Sequence, residues 1–528
     1  MIDLVGERSL RDLLEERVAR YMDKQFLVCE DRHGDRTEYT FRGFADAVRA
    51  AARGFAALGV GKGDAVVVHL ANCPEFVISW FGLASIGAVL VPSNTAHRSA
   101  ELGYVLNHSE AVGAITSPEH LALLRSLRPD APSIKFLVLA RTAEPHAGTV
   151  PFGDLLAGAG AGAAAGETPS PAVRSEDIAE MIFTSGTTSL PKAVLLTHAN
   201  QLRAGERSAR TVGLDQSDRF LTALPAFHVN AQGAILASLT VGATCILLEQ
   251  YSASKFREQW KAHGATTTSL VAMQVRTLLA QPPSSADRDH GIRRNFYAIN
   301  VADREKDEFE RRFGIELMNG YGLSEAMTGV THAPVHGDRR WPSVGLPAFD
   351  RQVRIVGKDG DELPPHQVGE ITVSGVPGRT LMKGYFKDPA ATAEALRDGW
   401  LHTGDFGYLD EQGYLYFVDR RRDVIKRAGE NISASEIEII IGDHPLVAEA
   451  AVIGIPDQVR DEAVKAYVVP KPGAELAAED VVAHCAERLA GFKVPTVVDI
   501  RAQLPKTSVG KVHKAALRAE AQSETTEE

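Results

Sequence analysis

Apolar residues recur at two alternating periods through much of the chain. Leu10, Leu13, Leu14 and Val18 stand at helical spacing, which predicts an amphipathic helix over 10–21. Phe41 to Leu58 repeats the pattern with alanines, and Gly59 marks its stop. Ala65 to Leu70 is an unbroken apolar run of strand length. Pro74, suited to a first helical turn, opens a helix to about Ile86, and Ala88 to Val91 is a second apolar run. Strand, helix and strand in succession predict a βαβ unit and so a parallel sheet. The alternation goes on through 103–108, 111–115 and 135–139. Strands then follow at 181–183, 193–196, 220–224, 245–248 and 266–271, with helices at 231–239 and 254–263.

The texture changes after Glu325. From Val353 to Val373, Gly/Pro turns separate short alternating strands, as in a small β-subdomain. Tyr414 to Val418 runs into the charged stretch Asp419-Arg420-Arg421-Arg422-Asp423. Beyond it a separate pattern begins: a helix at 434–441, strands at 447–453 and 463–469, and a helix at 479–489. These periods predict an α/β protein of two parts. Residues 1–421 form a large domain with mixed, mostly parallel sheets and a β-subdomain at about 345–419. Residues 422–520 form a small α+β domain, and 521–528 a disordered acidic tail.

Composition narrows the class. A chain of 528 residues is too long for one core. The net charge of −11 argues against a nucleic-acid partner. The four cysteines, Cys29, Cys73, Cys245 and Cys485, contain no C-x-x-C pair, so neither a disulfide framework nor a zinc site is expected and a reducing compartment suits them. The first residues do not read as a signal peptide, and the apolar run 77–91 is too short to span a bilayer. A cytoplasmic enzyme is the expectation.

The most chemically loaded stretch is Thr184-Ser185-Gly186-Thr187-Thr188-Ser189-Leu190-Pro191-Lys192, set between the apolar runs Met181–Phe183 and Ala193–Leu196. It reads as a strand, a turn and a strand. The turn offers backbone N–H groups, hydroxyls and one ammonium, a set that suits a polyphosphate. A Walker loop is excluded, because Pro191 and Ala193 flank the lysine where glycine and Ser/Thr would be needed. Ala157 to Gly166 holds a G-x-G-x-x-A string, but no strand precedes it, and a flexible surface connection is the better reading. Further on, Asn319-Gly320-Tyr321-Gly322-Leu323-Ser324-Glu325 combines close-approach glycines, an aromatic that can stack on a purine and a carboxylate that can hold Mg²⁺.

These segments, in this order, resemble the adenylate-forming enzymes: acyl-CoA synthetases, peptide-synthetase adenylation domains and luciferases. The resemblance runs from Phe41 to Lys514. The strings Phe183 to Ser189, Arg339-Arg340-Trp341-Pro342-Ser343, Gly375 to Thr380 and Asp419-Arg420-Arg421 look most like those of carnitine/crotonobetaine–CoA ligases. Ser189 and Ala193 stand where glycine is commoner in the family, and Ala298 to Asp303 replaces the Gly-Gly/Ala-Ala-Pro-Leu loop of many members.

The resemblance implies a two-step ligase using ATP, Mg²⁺ and coenzyme A, with a mobile C-terminal domain. By the same likeness, Thr184, Ser185, Gly186, Thr187, Thr188 and Lys192 bind phosphate. Asn319, Gly320, Tyr321, Gly322 and Ser324 bind the nucleotide, Asp405 and Arg420 the ribose, and Thr184 and Glu325 the metal. His228 lines the acyl pocket, Lys511 serves adenylation, and Gly429 meets the pantetheine in the second step. The acid is expected to be short and polar, with Phe227 and Tyr321 as aromatic faces for a cationic head. Asp303 stands either as that head's counter-charge or as the cap of the helix near Arg304. A carrier-protein thiol, an amine or another nucleophile as acceptor, and a non-enzymatic nucleotide binder, stay open alternatives, and so does a homodimer.

Overall fold

The structure is a computed structural model of the 528-residue chain. It describes residues 5–158, 171–184, 191–298, 301, 303–420, 423–427, 430–457, 461–489, 491–507 and 511–527.

Two large sheets form the N-terminal part. The first runs in the order Gly384–Tyr385, Lys192–Thr197, Ile178–Thr184, Val89–Pro92, Ala65–His69, Gly113–Thr116, Phe136–Leu139 and Val150–Pro151. Its centre is the expected βαβ unit: Ala65–His69 pairs in parallel with Val89–Pro92, joined by the helix Pro74–Ser85. Both strands are buried throughout, which their lack of charge permits. The second sheet runs from Leu346–Pro347 through Thr328–His332, Glu316–Leu323, Arg294–Ala298, Thr267–Leu270, Arg219–Thr222, Thr244–Leu248 and Gln25–Glu30 to Arg36–Thr40. Its inner strands are parallel and its margins antiparallel. One continuous apolar core, with Phe44, Trp80, Phe81, Leu90, Leu196, Leu236 and Leu239 in it, lies between the sheets.

The helix His198–Thr211 in that layer is missing from the apolar periods. Its sequence is polar, yet Asn200, Gln201, Arg203 and Arg207 are buried. Paired polar groups take the place of an apolar face: the side chain of Thr197 caps Asn200 N–H, and Gln201 donates to the buried Glu180 at 2.8 Å.

A five-stranded antiparallel sheet follows, built from Val353–Val356, Gly369–Ser374, Trp400–Leu409, Leu396–Arg397 and Leu415–Arg420. The C-terminal part has its own sheet, from Val424–Arg427 to Val497–Ile500, and its own cores, one around Ile432, Ile437, Val464 and Val481 and another around Tyr467 and Leu517. Separate cores are what make it a second, smaller α+β domain. The expected boundary at 421/422 lies outside the described residues, as does most of the Ala/Gly string before Pro171. Lys514–Glu527 is one helix, which runs into the segment expected as a tail. Leu517 and Ala521 anchor it on Tyr467, and Glu520 pairs with Arg501 at 2.6 Å. Among the described residues, no helix is long and apolar enough to cross a membrane.

Candidate active site

The strands Ile178–Thr184 and Lys192–Thr197 pair antiparallel, with Thr184 directly opposite Lys192. The Thr184 hydroxyl donates to the Lys192 carbonyl at 3.3 Å, and the Tyr104 hydroxyl donates to the Pro191 carbonyl at 3.0 Å. The hairpin stem expected from sequence is therefore present. Ser185, Gly186, Thr187, Thr188 and Ser189 lie outside the described residues. The two-residue strand Gly384–Tyr385 joins this hairpin and sets Tyr385 beside Val194. The Lys192 ammonium lies 4.9 Å from the Tyr385 ring centre. The Tyr385 hydroxyl donates to Glu325 Oε1 at 2.9 Å. Burial and the adjoining carboxylate push the phenol well above its usual range, so it keeps its proton. An unbroken chain of contacts thus leads from Thr184 to Glu325.

Glu325 sits in a one-turn 3-10 segment, Ser324–Ala326, at the end of the strand Glu316–Leu323. The turn is clamped from behind. The buried Arg207 donates to the carbonyls of Ala326 and Met327 at 3.2 and 2.7 Å, and the buried Arg351 to the Ala326 carbonyl at 2.6 Å. Asp350, 2.8 Å from Arg207, is their counter-charge. Burial alone would raise the Asp350 carboxyl, but the two guanidiniums hold it low. The clamp faces a strained backbone: Met327 and Thr328 have φ of 43° and 75°, left-handed for residues with side chains. Such residues cost about 1–3 kcal/mol each and persist only when their surroundings fix them.

The nucleotide candidates also converge. Tyr321, buried, donates its hydroxyl to Asp405 Oδ2 at 2.6 Å, and its ring lies 5.8 Å from that of Phe417. Asp405 stands opposite Arg420 across the pair Trp400–Leu409 and Leu415–Arg420. Residues some 80 positions apart (Tyr321 and Asp405, 84) are thereby in direct contact. Asn319 is buried and donates to the Ser343 carbonyl at 3.1 Å. The two glycines also have a packing reason. A Cβ on Gly320 would meet Phe296 and the Thr331 carbonyl at 2.9 Å, and one on Gly322 the Thr328 carbonyl at 2.5 Å.

His228 occupies the N-cap position of the helix Val229–Val241, directly after Phe227, whose ring centre is 4.7 Å away. Burial, then the charges of Lys511 and His97, lower its imidazole to about 4. Lys511 is exposed, on a turn where Thr507 N–H donates to its carbonyl at 2.6 Å. Gly429 and Arg422 lie outside the described residues. Asp303 begins the helix Asp303–Phe313 and accepts the Trp341 indole N–H at 2.6 Å.

Tyr385, His97 and the clamp of Arg207, Arg351 and Asp350 were not legible beforehand. Tyr385 follows a glycine in Met382-Lys383-Gly384-Tyr385, a weak signal. The arginines carried none, because buried charges read as surface in a sequence.

The donor set suits a hard cation. Glu325 offers a carboxylate and Thr184 a hydroxyl, the oxygen ligands Mg²⁺ takes when phosphates and water supply the rest. Among the described residues, no group of three or more His, Cys, Asp or Glu side chains gathers to bind a metal without help. The arrangement thus brings the hairpin stem at Thr184 and Lys192 into contact with Glu325 through Tyr385, and Tyr321 onto Asp405.

Comparison with known proteins shows the family. The AMP-binding enzyme pattern matches residues 14–386, and the AMP-binding enzyme C-terminal domain matches 436–511. A crotonobetaine/carnitine–CoA ligase of Salmonella enteritidis is 39% identical over 98% of this chain and 100% of its own. One from Escherichia coli O8 is 40% identical with the same coverage. Among solved structures, an anthranilate–CoA ligase with anthranoyl-AMP superposes with a TM-score of 0.89 at 25% identity, covering 99% of both chains. The o-succinylbenzoate–CoA synthetase of Bacillus subtilis with ATP and magnesium ion gives 0.83 at 27%, covering 98% of this chain and 100% of the other. The chain belongs to the AMP-binding enzyme family.

Proposed function

We propose that this AMP-forming acid–CoA ligase activates a short polar acid of the crotonobetaine or carnitine kind. The observation that carries the choice of acid is identity of 39–40% to crotonobetaine/carnitine–CoA ligases over their entire length. The solved relatives, named for anthranilate and o-succinylbenzoate, mark how widely the acid varies at this fold.

The reaction uses ATP, Mg²⁺ and coenzyme A. In the first step a carboxylate oxygen of the acid attacks the α-phosphorus of ATP, and pyrophosphate leaves. In the second the thiol of coenzyme A attacks the acyl carbon, AMP leaves and the thiol proton is released. The substrates supply both nucleophiles, so the protein contributes position and charge. The Thr184 to Lys192 hairpin holds the β- and γ-phosphates. Bound magnesium, with Glu325 and Thr184 as its protein ligands, supplies further neutralisation of phosphate charge. Tyr321 stacks on the adenine, and Asp405 accepts the ribose hydroxyls with Arg420 beside it. Lys511 bridges the incoming carboxylate and the α-phosphate. His228, uncharged near neutral pH, lines the acyl pocket without competing for the carboxylate. The domains divide at 421/422, and rotation about a hinge at Arg422 then withdraws Lys511 and presents Gly429 to the pantetheine.

For a cationic head, Phe227 supplies an aromatic face, while Tyr321 is committed to Asp405. The counter-charge is Asp303, in its bond with the Trp341 indole. The test is pyrophosphate release from ATP with a panel of acids, with and without coenzyme A. Crotonobetaine and carnitine should outcompete butyrate and crotonate, and Asp303→Asn should lose that preference while sparing the neutral acids. Preference for octanoate or an aryl acid would reject the acid and leave the ligase chemistry standing.

A further inference from the structure

Tyr385 has two contacts that no role above requires. Its hydroxyl donates to Glu325 Oε1 at 2.9 Å, and its ring lies under the Lys192 ammonium at 4.9 Å. Its backbone is fixed on both sides. Lys383 and Phe386 N–H donate to the carbonyls of Leu195 and Ala193 at 2.8 Å, and Tyr385 N–H donates to the Thr392 hydroxyl at 2.9 Å. The same segment also holds the main chain of Glu325, since Met382 N–H donates to the Glu325 carbonyl at 2.7 Å. The ring therefore cannot move away from Glu325 without pulling on the phosphate hairpin.

We propose that Tyr385 is a positioning residue for the metal: its hydroxyl orients the Glu325 carboxylate so that a divalent cation can be taken alongside bound ATP. The inference rests on reading Glu325 as the metal carboxylate. A phenol suits the task for a physical reason. A hydrogen bond to one carboxylate oxygen fixes the plane of the group and leaves its negative charge intact. A lysine or arginine in that place would cancel the charge and repel the cation. The ring meanwhile offers its negative face to Lys192. One side chain thus sits between the group that meets the metal and the group that meets the phosphates.

The test is Tyr385→Phe, read by equilibrium binding. The ring stays beneath Lys192, so ATP binding in EDTA, followed by calorimetry, should match wild type and certifies the fold. Mn²⁺ affinity in the presence of ATP, read by electron paramagnetic resonance, should fall by about 10-fold, the scale for losing a partner that orients a ligand. Glu325→Gln should lower the same affinity at least as far. A wild-type Mn²⁺ titration for Tyr385→Phe, where Glu325→Gln shifts it, overturns the role of Tyr385 alone. A wild-type titration for both variants overturns the metal reading of Glu325 and the positioning role with it. Equal loss of ATP binding with and without metal in Tyr385→Phe would assign the residue to the phosphate site and also reject the proposal.

Discussion

On the function proposed above, the two domains contribute to one site in opposite ways. In the large domain the candidate site is built from buried or half-buried, mutually bonded groups: Tyr321 on Asp405, Tyr385 on Glu325, and two arginines on the turn behind Glu325. Each of these bonds joins segments far apart in sequence, and each side chain already has its partner. In the small domain Lys511 is exposed. The contrast has a physical logic. A pocket that must hold the nucleotide, first as ATP and then as the acyl-adenylate, gains from preorganisation, because its dipoles need not reorganise as charge moves. A cation needed for only one of the reactions must be removable, and a group on an independently folded domain can be carried away whole. The difference can be tested at four places.

The largest effect should come from Lys511→Ala. Acyl-adenylate formation should fall by roughly 10²–10³, the scale for losing one preorganised charge-stabilising donor. Thioester formation from supplied acyl-adenylate should fall far less, since the domain has turned by then. Measured separately in rapid-quench experiments, equal losses in both half-reactions would erase the distinction between fixed and delivered groups.

Arg422→Pro attacks the delivery itself. Proline fixes φ and removes a backbone donor, so one orientation of the small domain should be trapped. One half-reaction should then survive near its normal rate while the other drops by about 10², as misplacement of a reacting group by an ångström does. Loss of both with an unchanged circular dichroism spectrum would place the hinge elsewhere.

Tyr321→Phe tests the fixed side. Asp405 loses a buried hydroxyl donor at 2.6 Å. A hydrogen bond to a charged group contributes about 1.5–3 kcal/mol, so the KM for ATP should rise by about 10-fold or more with little change in the Mg²⁺ requirement. An unchanged KM would mean that the carboxylate is held well enough by its other neighbours.

What was legible in the sequence follows the same division. Elements whose stability is apolar announced themselves: the run at 65–70, the helix after Pro74 and the hairpin strands at 181–183 and 193–196 appear at those places, with ends shifted by up to three residues. Residues that carry chemistry in short motifs, such as Tyr321, Glu325 and Asp405, could be found because small and charged residues cluster there. Groups that work through pairing could not. The helix His198–Thr211 reads as polar because its buried face is Asn200, Gln201, Arg203 and Arg207, each of which would look solvated without its partner. The acidic composition of the tail likewise gives no sign of the helix Lys514–Glu527, which is fastened by Leu517, Ala521 and the Arg501–Glu520 pair.

The smallest effect should be on stability, and it depends on pH. Three histidines of the large domain have imidazoles lowered far, chiefly by burial, His69 to about 3 and His198 and His228 to about 4. In the unfolded chain each takes up a proton near pH 6.5. Between about 4.5 and 6.5 the unfolded state therefore binds roughly three more protons at these positions, and stability must rise with pH across that window. Glu180 opposes them. Burial raises its carboxyl to about 7, only partly offset by Gln232 and Gln201, so the native state holds a proton there that the unfolded state has released. The net of these four groups is roughly two protons favouring the native state as pH rises, each contributing about 1.4 kcal/mol per pH unit. His228→Gln removes one of the three from the balance, and the slope of unfolding free energy against pH, from urea titrations between pH 5 and 6.5, should flatten by about one proton. A slope equal to wild type would mean that His228 is protonated in the folded protein. It would then stand as a cation beside Lys511, and the acyl pocket would carry a positive charge on its fixed wall as well as the one that is delivered.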